Sequence, residues 1–174
     1  VVHEEFHSEA FSKTGGMFEM VQLWVNLPAA KKNIAPAYQS LKAADIPVVS
    51  RGDGNVRLIA GPLDGTNGAA HTHTELNMWE IDLPADGAMT LPVPENHNLL
   101  LVALRGTARI NDRDLLRPSE LATFNESGDS IRISAEGDAV KLLLLSGVPI
   151  DEPIAAYGPF VMNTREEIME KIRD

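Results

Sequence analysis

The chain has 174 residues, 15 of them Lys or Arg and 25 Asp or Glu, giving a net charge of −10, and it contains no cysteine. That length suits one medium domain, or one domain and part of another, with ample chain for a hydrophobic core. The acidic balance, with no basic run longer than Lys31-Lys32, argues against nucleic-acid recognition by charge, and the missing cysteine excludes disulfide scaffolds, thiolate metal sites and cysteine nucleophiles.

Residue 1 is Val rather than Met, so the chain is expected to be processed, nicked or a fragment, and its start lacks the pattern of a signal peptide. His3-Glu4-Glu5-Phe6-His7 matches the H-E-x-x-H pattern of zinc proteases, which needs a helix to bring both histidines to one face. Its context is poor: two residues precede it, Glu5 takes a slot that is ordinarily apolar, and Gly15-Gly16 soon ends any helix. Read as a strand, period two puts His3, Glu5 and His7 on one face, a donor set suited to Fe, Mn, Zn, Ni or Cu. Read as a chain end, the same residues are frayed and solvated, and spacing alone does not choose between these readings.

Phe18–Leu27 follows as an expected strand, with Val21, Leu23, Val25 and Leu27 on one apolar face. Pro28–Ala44 reads as a connector with a helical turn near Tyr38–Ala44. Strands are then predicted at Val56–Ala60, Leu76–Leu83, Leu99–Leu104, Thr107–Ile110, Leu121–Phe124, Ser130–Ser134 and Val140–Ser146. Turn chemistry separates them, as at Asp86-Gly87, Arg105-Gly106 and Glu136-Gly137-Asp138. Short strands at this interval predict a sandwich, jelly roll or barrel. The longest apolar runs, Leu99–Leu104 and Leu142–Leu145, fall far short of a bilayer span, so a soluble, cytoplasmic protein without membrane contact is expected. In the tail, Thr164 followed three residues later by Glu167 is a capping-box signature, and Ile168 and Ile172 share one face of a short helix.

His71-Thr72-His73, with Gly65 six residues upstream, resembles the opening of the first cupin motif. Asn77 and Met78 stand where that motif needs Glu, so the pair reads either as a surface feature at the start of a strand or as an adventitious metal site. A second register fits better: the motif G-x5-H-x-H-x3-E-x6-G runs from Gly87 to Gly106 with every gap correct, but its ligand slots hold Val93, Glu95 and Leu99. The second motif fits at Pro118 and puts Thr123 in its ligand slot. A cupin barrel whose ligand slots are degenerate is therefore expected to be metal-free, and His97, in Pro94-Glu95-Asn96-His97-Asn98, reads as a turn residue. No nucleophile elbow, phosphate loop or dinucleotide fingerprint is present, and no catalytic residue stands out.

His3-Glu4-Glu5-Phe6-His7-Ser8, Gln22-Leu23-Trp24-Val25-Asn26-Leu27-Pro28, Pro36-Ala37-Tyr38-Gln39 and Tyr157-Gly158-Pro159-Phe160-Val161-Met162-Asn163-Thr164 occur in the order seen in pirins, so the chain resembles the C-terminal part of that family. The resemblance implies an all-β, cupin-type double-stranded β-helix (jelly-roll barrel) with a short C-terminal helix. It divides the chain into residues 1–28, the last strands of an N-terminal cupin barrel; 29–55, an inter-barrel connector; 56–150, a metal-free C-terminal cupin barrel; and 151–174, a tail and helix that pack back on the N-terminal barrel. Pirins hold one iron by a His-x-His pair and a later His-x-Glu pair. Carried over, His3 and Glu5 are the second pair, and Fe(II) or another divalent metal is expected only if the N-terminal half is present. The implied activity is that of a quercetin 2,3-dioxygenase, cleaving a flavonol ring with O2. The alternative is a redox- or metal-dependent regulator that binds a metabolic enzyme or a transcription factor. The chain alone is expected to be inactive, and to partner either an N-terminal cupin fragment or another copy of itself.

Overall fold

Inward and outward side chains alternate along the chain from residue 54 onward, and this alternation builds the architecture. In the computed structural model, which describes residues 6–125 and 127–173, the elements in chain order are α1 (Glu9–Thr14), β1 (Val48–Arg51), β2 (Gly54–Ala60), β3 (Pro62–Leu63), β4 (Thr66–Asn67), β5 (Leu76–Leu83), β6 (Ala88–Pro92), β7 (Asn98–Arg105), β8 (Ala108–Ile110), β9 (Asp114–Leu116), β10 (Leu121–Thr123), β11 (Ser130–Ala135), β12 (Val140–Gly147), β13 (Ala155–Tyr157), β14 (Phe160–Met162) and α2 (Arg165–Arg173). Strands β1, β2, β5, β12, β7 and β10 form one sheet in that order, and β6, β11, β8 and β9 a second. All their pairings are antiparallel. This is the expected all-β jelly roll. No helix among the described residues is long and apolar enough to cross a membrane.

Two compact units emerge: Gln39–Asp151, which holds both sheets, and a smaller one joining the described residues up to Tyr38 to those from Glu152. In the larger unit, β5 turns Trp79, Ile81 and Leu83 inward, β12 turns Val140, Leu142 and Leu144 inward, and β11 supplies Ile131 and Ile133 from the facing sheet. Each such burial is worth roughly 1.5–3 kcal/mol, so the shared core is what closes the two sheets on each other. The outward face of β2, β5 and β12 carries charge instead. Lys141 Nζ lies 2.9 Å from both Glu80 Oε1 and Asp82 Oδ1, and Arg57 Nε lies 3.3 Å from the same Glu80 oxygen.

In the smaller unit Ser8 caps α1, its Oγ accepting from the Phe11 N–H at 3.2 Å. The predicted capping box of α2 is formed. Glu167 N–H donates to Thr164 Oγ1 at 3.2 Å, and the Glu167 carboxylate accepts from the N–H groups of Thr164 and Asn163 at 2.9 Å each. Helix α2 packs on the β13–β14 hairpin with Ile168 buried, while Ile172 remains 44% exposed. Glu152 Oε2 accepts from the Ala29 N–H at 2.7 Å and from Asn163 Nδ2 at 2.9 Å, tying three segments together.

One expected strand is not formed. Phe18–Leu27 has strand periodicity but no strand conformation, and Met17, Phe18, Met20, Val21, Trp24 and Val25 are exposed. A strand is held by ladder hydrogen bonds to a neighbour, and the pattern of its own residues cannot supply that neighbour. The helical turn expected near Tyr38–Ala44 is confined to a 3-10 turn at Ala43–Asp45. Strand β1 falls within the stretch 29–55, where it pairs with β2.

Burial pulls the Lys141 pKa down, but hydrogen bonds to Asp82 and Glu80 and the attraction of both carboxylates outweigh it, so the pKa stands above the ordinary lysine value. The stabilisation from a raised lysine pKa is complete below the unfolded value, about 10.4, and is lost as pH rises through the higher folded value. Replacing Lys141 by Met should cost about 0.5–1 kcal/mol at neutral pH. Denaturant unfolding from neutral to strongly alkaline pH should show that gap closing only at the alkaline end. A gap that persists unchanged there would mean the ion pairs do not contribute.

Candidate functional site

The end of the barrel where β6 ends, β7 begins and β11 begins holds a cavity of about 320 Å³. Val93, Leu99 and Ile131 are buried and line it, with Phe124 half-buried beside them. Glu95, His97, Asn111, Arg113, Asn125 and Ser127 supply polar groups. Three ligand slots of the first cupin motif, Val93, Glu95 and Leu99, therefore do face one space, as the motif spacing requires. The motif's closing glycine, Gly106, has φ +68°, and a Cβ there would overlap the Ala139 carbonyl oxygen, so the turn after β7 demands glycine.

The second motif is out by one residue. Thr123, its predicted slot, is exposed, and Phe124 lines the cavity instead. Strand alternation is the cause: Ala122 and Phe124 pack against the core, which turns the intervening Thr123 outward.

His97 does lie in a turn, its N–H donating to the Pro94 carbonyl at 3.0 Å, but its ring is buried rather than solvated. Its Nδ1 lies 3.2 Å from Ser146 Oγ, which accepts from Asn77 Nδ2 at 2.9 Å. While accepting from Asn77, the Ser146 hydroxyl still has its proton and a second lone pair to offer Nδ1, so the contact forms with either tautomer of the ring. Nε2 lies 3.7 Å from Glu75 Oε1. Asn77 and Ser146 are directly paired across β5 and β12 and both face inward. Two polar residues at inward positions of paired strands are the sequence signal for this network, one that motif spacing does not register.

The remaining predicted residues lie elsewhere. His3 and Glu5 fall outside the described residues. His7 precedes α1 and belongs to neither helix nor strand; its ring sits 4.8 Å from Phe18 in an edge-on contact and 5.3 Å from Phe11. His71 and His73 are exposed in the loop before β5 rather than on the strand. There the His71 N–H donates to Gln39 Oε1, and Gln39 Nε2 donates to the His71 carbonyl, both at 2.8 Å, so the main chain at His71 has a structural role. Among the described residues no three His, Asp or Glu side chains converge as a metal site would require.

Truncating Ser146 to Ala leaves Asn77 Nδ2 and His97 Nδ1 without their buried partner. The expected loss is about 1–3 kcal/mol of stability, read by denaturant unfolding. A neutral result would show that the three side chains do not act as a network.

Residues 78–174 match the family described as the pirin C-terminal cupin domain. A Pseudomonas aeruginosa protein with a provisional quercetin 2,3-dioxygenase name is 46% identical over 176 residues, covering all of this chain and 61% of that protein. Human pirin is 32% identical over 158 residues, covering 88% of this chain and 54% of its own length. A crystal structure of quercetin 2,3-dioxygenase from Acinetobacter baumannii superposes with a TM-score of 0.94 at 44% identity, over 97% of this chain and 59% of that one. The chain thus spans about three-fifths or less of the length of these relatives. With the degenerate cupin motif in place on a jelly roll and the family match over more than half its length, the chain belongs to the pirin family and carries its C-terminal cupin domain.

Proposed function

We propose that this chain is part of an iron-dependent, quercetin 2,3-dioxygenase-like pirin. In this reading His3 and Glu5 bind the metal together with a His-x-His pair from the part of the relatives' length that this chain does not span. The donor set of the described barrel supports it. At the motif slots that face the cavity stand Val93, Glu95 and Leu99, and one carboxylate does not fit a metal. An imidazole and a carboxylate two residues apart, as in His3 and Glu5, are the donor types an Fe(II) site uses, but they need further ligands to make a tight one. When bound, the metal would supply the site where a flavonol and O2 meet and the flavonol's central ring is opened.

The test uses the full-length protein, with iron measured per chain and quercetin consumption followed with O2 uptake. His3→Ala and Glu5→Gln should each lower iron content at least about tenfold and abolish turnover. Parent-like iron in both variants would overturn the assignment. Iron binding without quercetin turnover, together with capture of a metabolic enzyme or transcription factor, would favour the regulatory alternative.

Apolar exposure favours a partner for the smaller unit. Of the 17 large apolar side chains exposed among the described residues, 13 fall between Phe6 and Tyr38 or between Ile154 and Ile172. We infer that these segments are covered by the N-terminal cupin part of the protein, since solvent-facing patches of this extent mark interaction surfaces. Light scattering on this chain alone should therefore show self-association, relieved when the N-terminal part is supplied. A stable monomer whose behaviour is indifferent to that addition would refute it.

A further inference from the structure

The mouth of the barrel opens as a cleft of about 320 Å³ above Val93, Leu99 and Ile131, with exposed polar residues at its rim. That is the lower end of the range of small-molecule sites. Large apolar residues at the rim would close it. The chain instead places Asn111, Asn125, Ser127 and Gly128 there.

Two lining side chains carry charge without an assigned structural task. Among the described residues, neither the Arg113 guanidinium nor the Glu95 carboxylate has a hydrogen-bond or ion-pair partner. The neighbouring arginines differ. Arg109 forks onto Glu136 with contacts of 2.6 and 3.1 Å, and Arg132 pairs with Asp112 at 3.1 Å. Two other polar groups of the lining are already committed, since Asn111 Oδ1 at the rim accepts from the Arg132 N–H at 3.0 Å and the buried His97 ring lies 3.2 Å from Ser146 Oγ. Among the described residues the lining thus combines one available cation, one available anion, the amide of Asn125 and an apolar floor.

We propose that this cavity is a binding site for a small amphoteric organic acid. Its carboxylate is taken by Arg113, its ammonium group by Glu95, and its compact apolar body rests on Val93, Leu99 and Phe124. A planar guanidinium is the natural partner of a carboxylate because it offers paired donors. The opposite charge on Glu95 selects against simple anions, which it repels, and against simple cations, which Arg113 repels. The site is separate from the iron reading, since it uses neither His3 nor Glu5.

The test holds the apolar body constant and varies the charges. L-phenylalanine and 4-(aminomethyl)benzoate carry both charges at short and long separation, 3-phenylpropionate carries only the carboxylate, and phenethylamine only the ammonium. Binding to the full-length protein is followed by calorimetry and by amide chemical shifts around residues 93–99 and 111–131. At least one amphoteric probe should bind saturably, with both single-charge probes about tenfold weaker or worse. Arg113→Gln and Glu95→Gln should each weaken the amphoteric probe about tenfold while leaving the unfolding midpoint near that of the parent, because both side chains lack structural partners. Binding to neither amphoteric probe at millimolar concentration, binding that survives Arg113→Gln, or a single-charge probe that binds as tightly would each overturn the proposal.

Discussion

The register of β12 between β5 and β7 is the constraint on which the barrel depends. Residue by residue it sets Leu142 opposite Ile81 and Leu144 opposite Trp79 on one side, and Leu144 opposite Leu101 on the other. A slip of one residue would turn Lys141 into the core and Leu142 out to solvent, exchanging several kilocalories of apolar burial for a buried charge. The outward ion pairs of Lys141 with Glu80 and Asp82 reinforce the same register, because they form only when β12 presents that face. The same register puts Ser146 beside Asn77, and so determines where a polar side chain entering from the turn before β7 finds a partner. The His97 network is therefore a consequence of strand pairing before it is anything else.

Among the described residues no metal donor set converges at the barrel's mouth, and that placement supplies another way of fastening it. In a metal-binding cupin, ligand bonds to one ion would fasten the mouth ends of several strands. Here Val93 and Leu99 extend the apolar core up to the mouth, while Asn77, Ser146 and His97 join β5, β12 and the turn before β7 by hydrogen bonds. A hydrogen-bonded network of this kind has a low desolvation cost when each member has a partner. One buried group of the barrel stands outside it: Trp79 Nε1, two residues along the same inward face from Asn77, has no hydrogen-bond partner among the described residues. An orphaned indole N–H costs of order 1–3 kcal/mol, and at this position it is tolerated beside the large apolar burial of the same ring.

The strands of the barrel were legible because their signal is local. Alternation along Leu76–Leu83 and Val140–Ser146, with a glycine or a Gly-Asp pair at the turns, fixes a half-buried strand whatever its partner is. The Thr164–Glu167 capping box was legible for the same reason, its hydrogen bonds spanning three residues. The short strands β1, β6 and β9 were not, since three to five residues give few alternations; β8 and β10, equally short, were legible only because turn residues bound them on both sides. Motif spacing located the cavity through Val93, Glu95 and Leu99 but missed Phe124, because a one-residue offset between motif and strand reverses the face. The free charge of Arg113 was invisible in principle. Whether an arginine is paired depends on residues distant in sequence, and nothing distinguishes it along the chain from Arg109 or Arg132.

Phe18–Leu27 shows the converse of β12. Both segments alternate, but β12 finds ladder partners on both sides within the chain, whereas residues 18–27 have no paired strand among the described residues and leave Phe18, Val21, Trp24 and Val25 exposed. The physical difference is therefore not propensity but pairing, since a two-sided strand gains both backbone hydrogen bonds and side-chain burial, and a lone one gains neither. Periodicity states what a segment can do once a neighbour arrives. The nearby order that does exist, with His7, Phe11 and Phe18 in mutual ring contact and Ser8 capping α1, comes from contacts reaching at most eleven residues along the chain. Such short-range contacts close cheaply in entropy, so they persist without a partner where a sheet cannot.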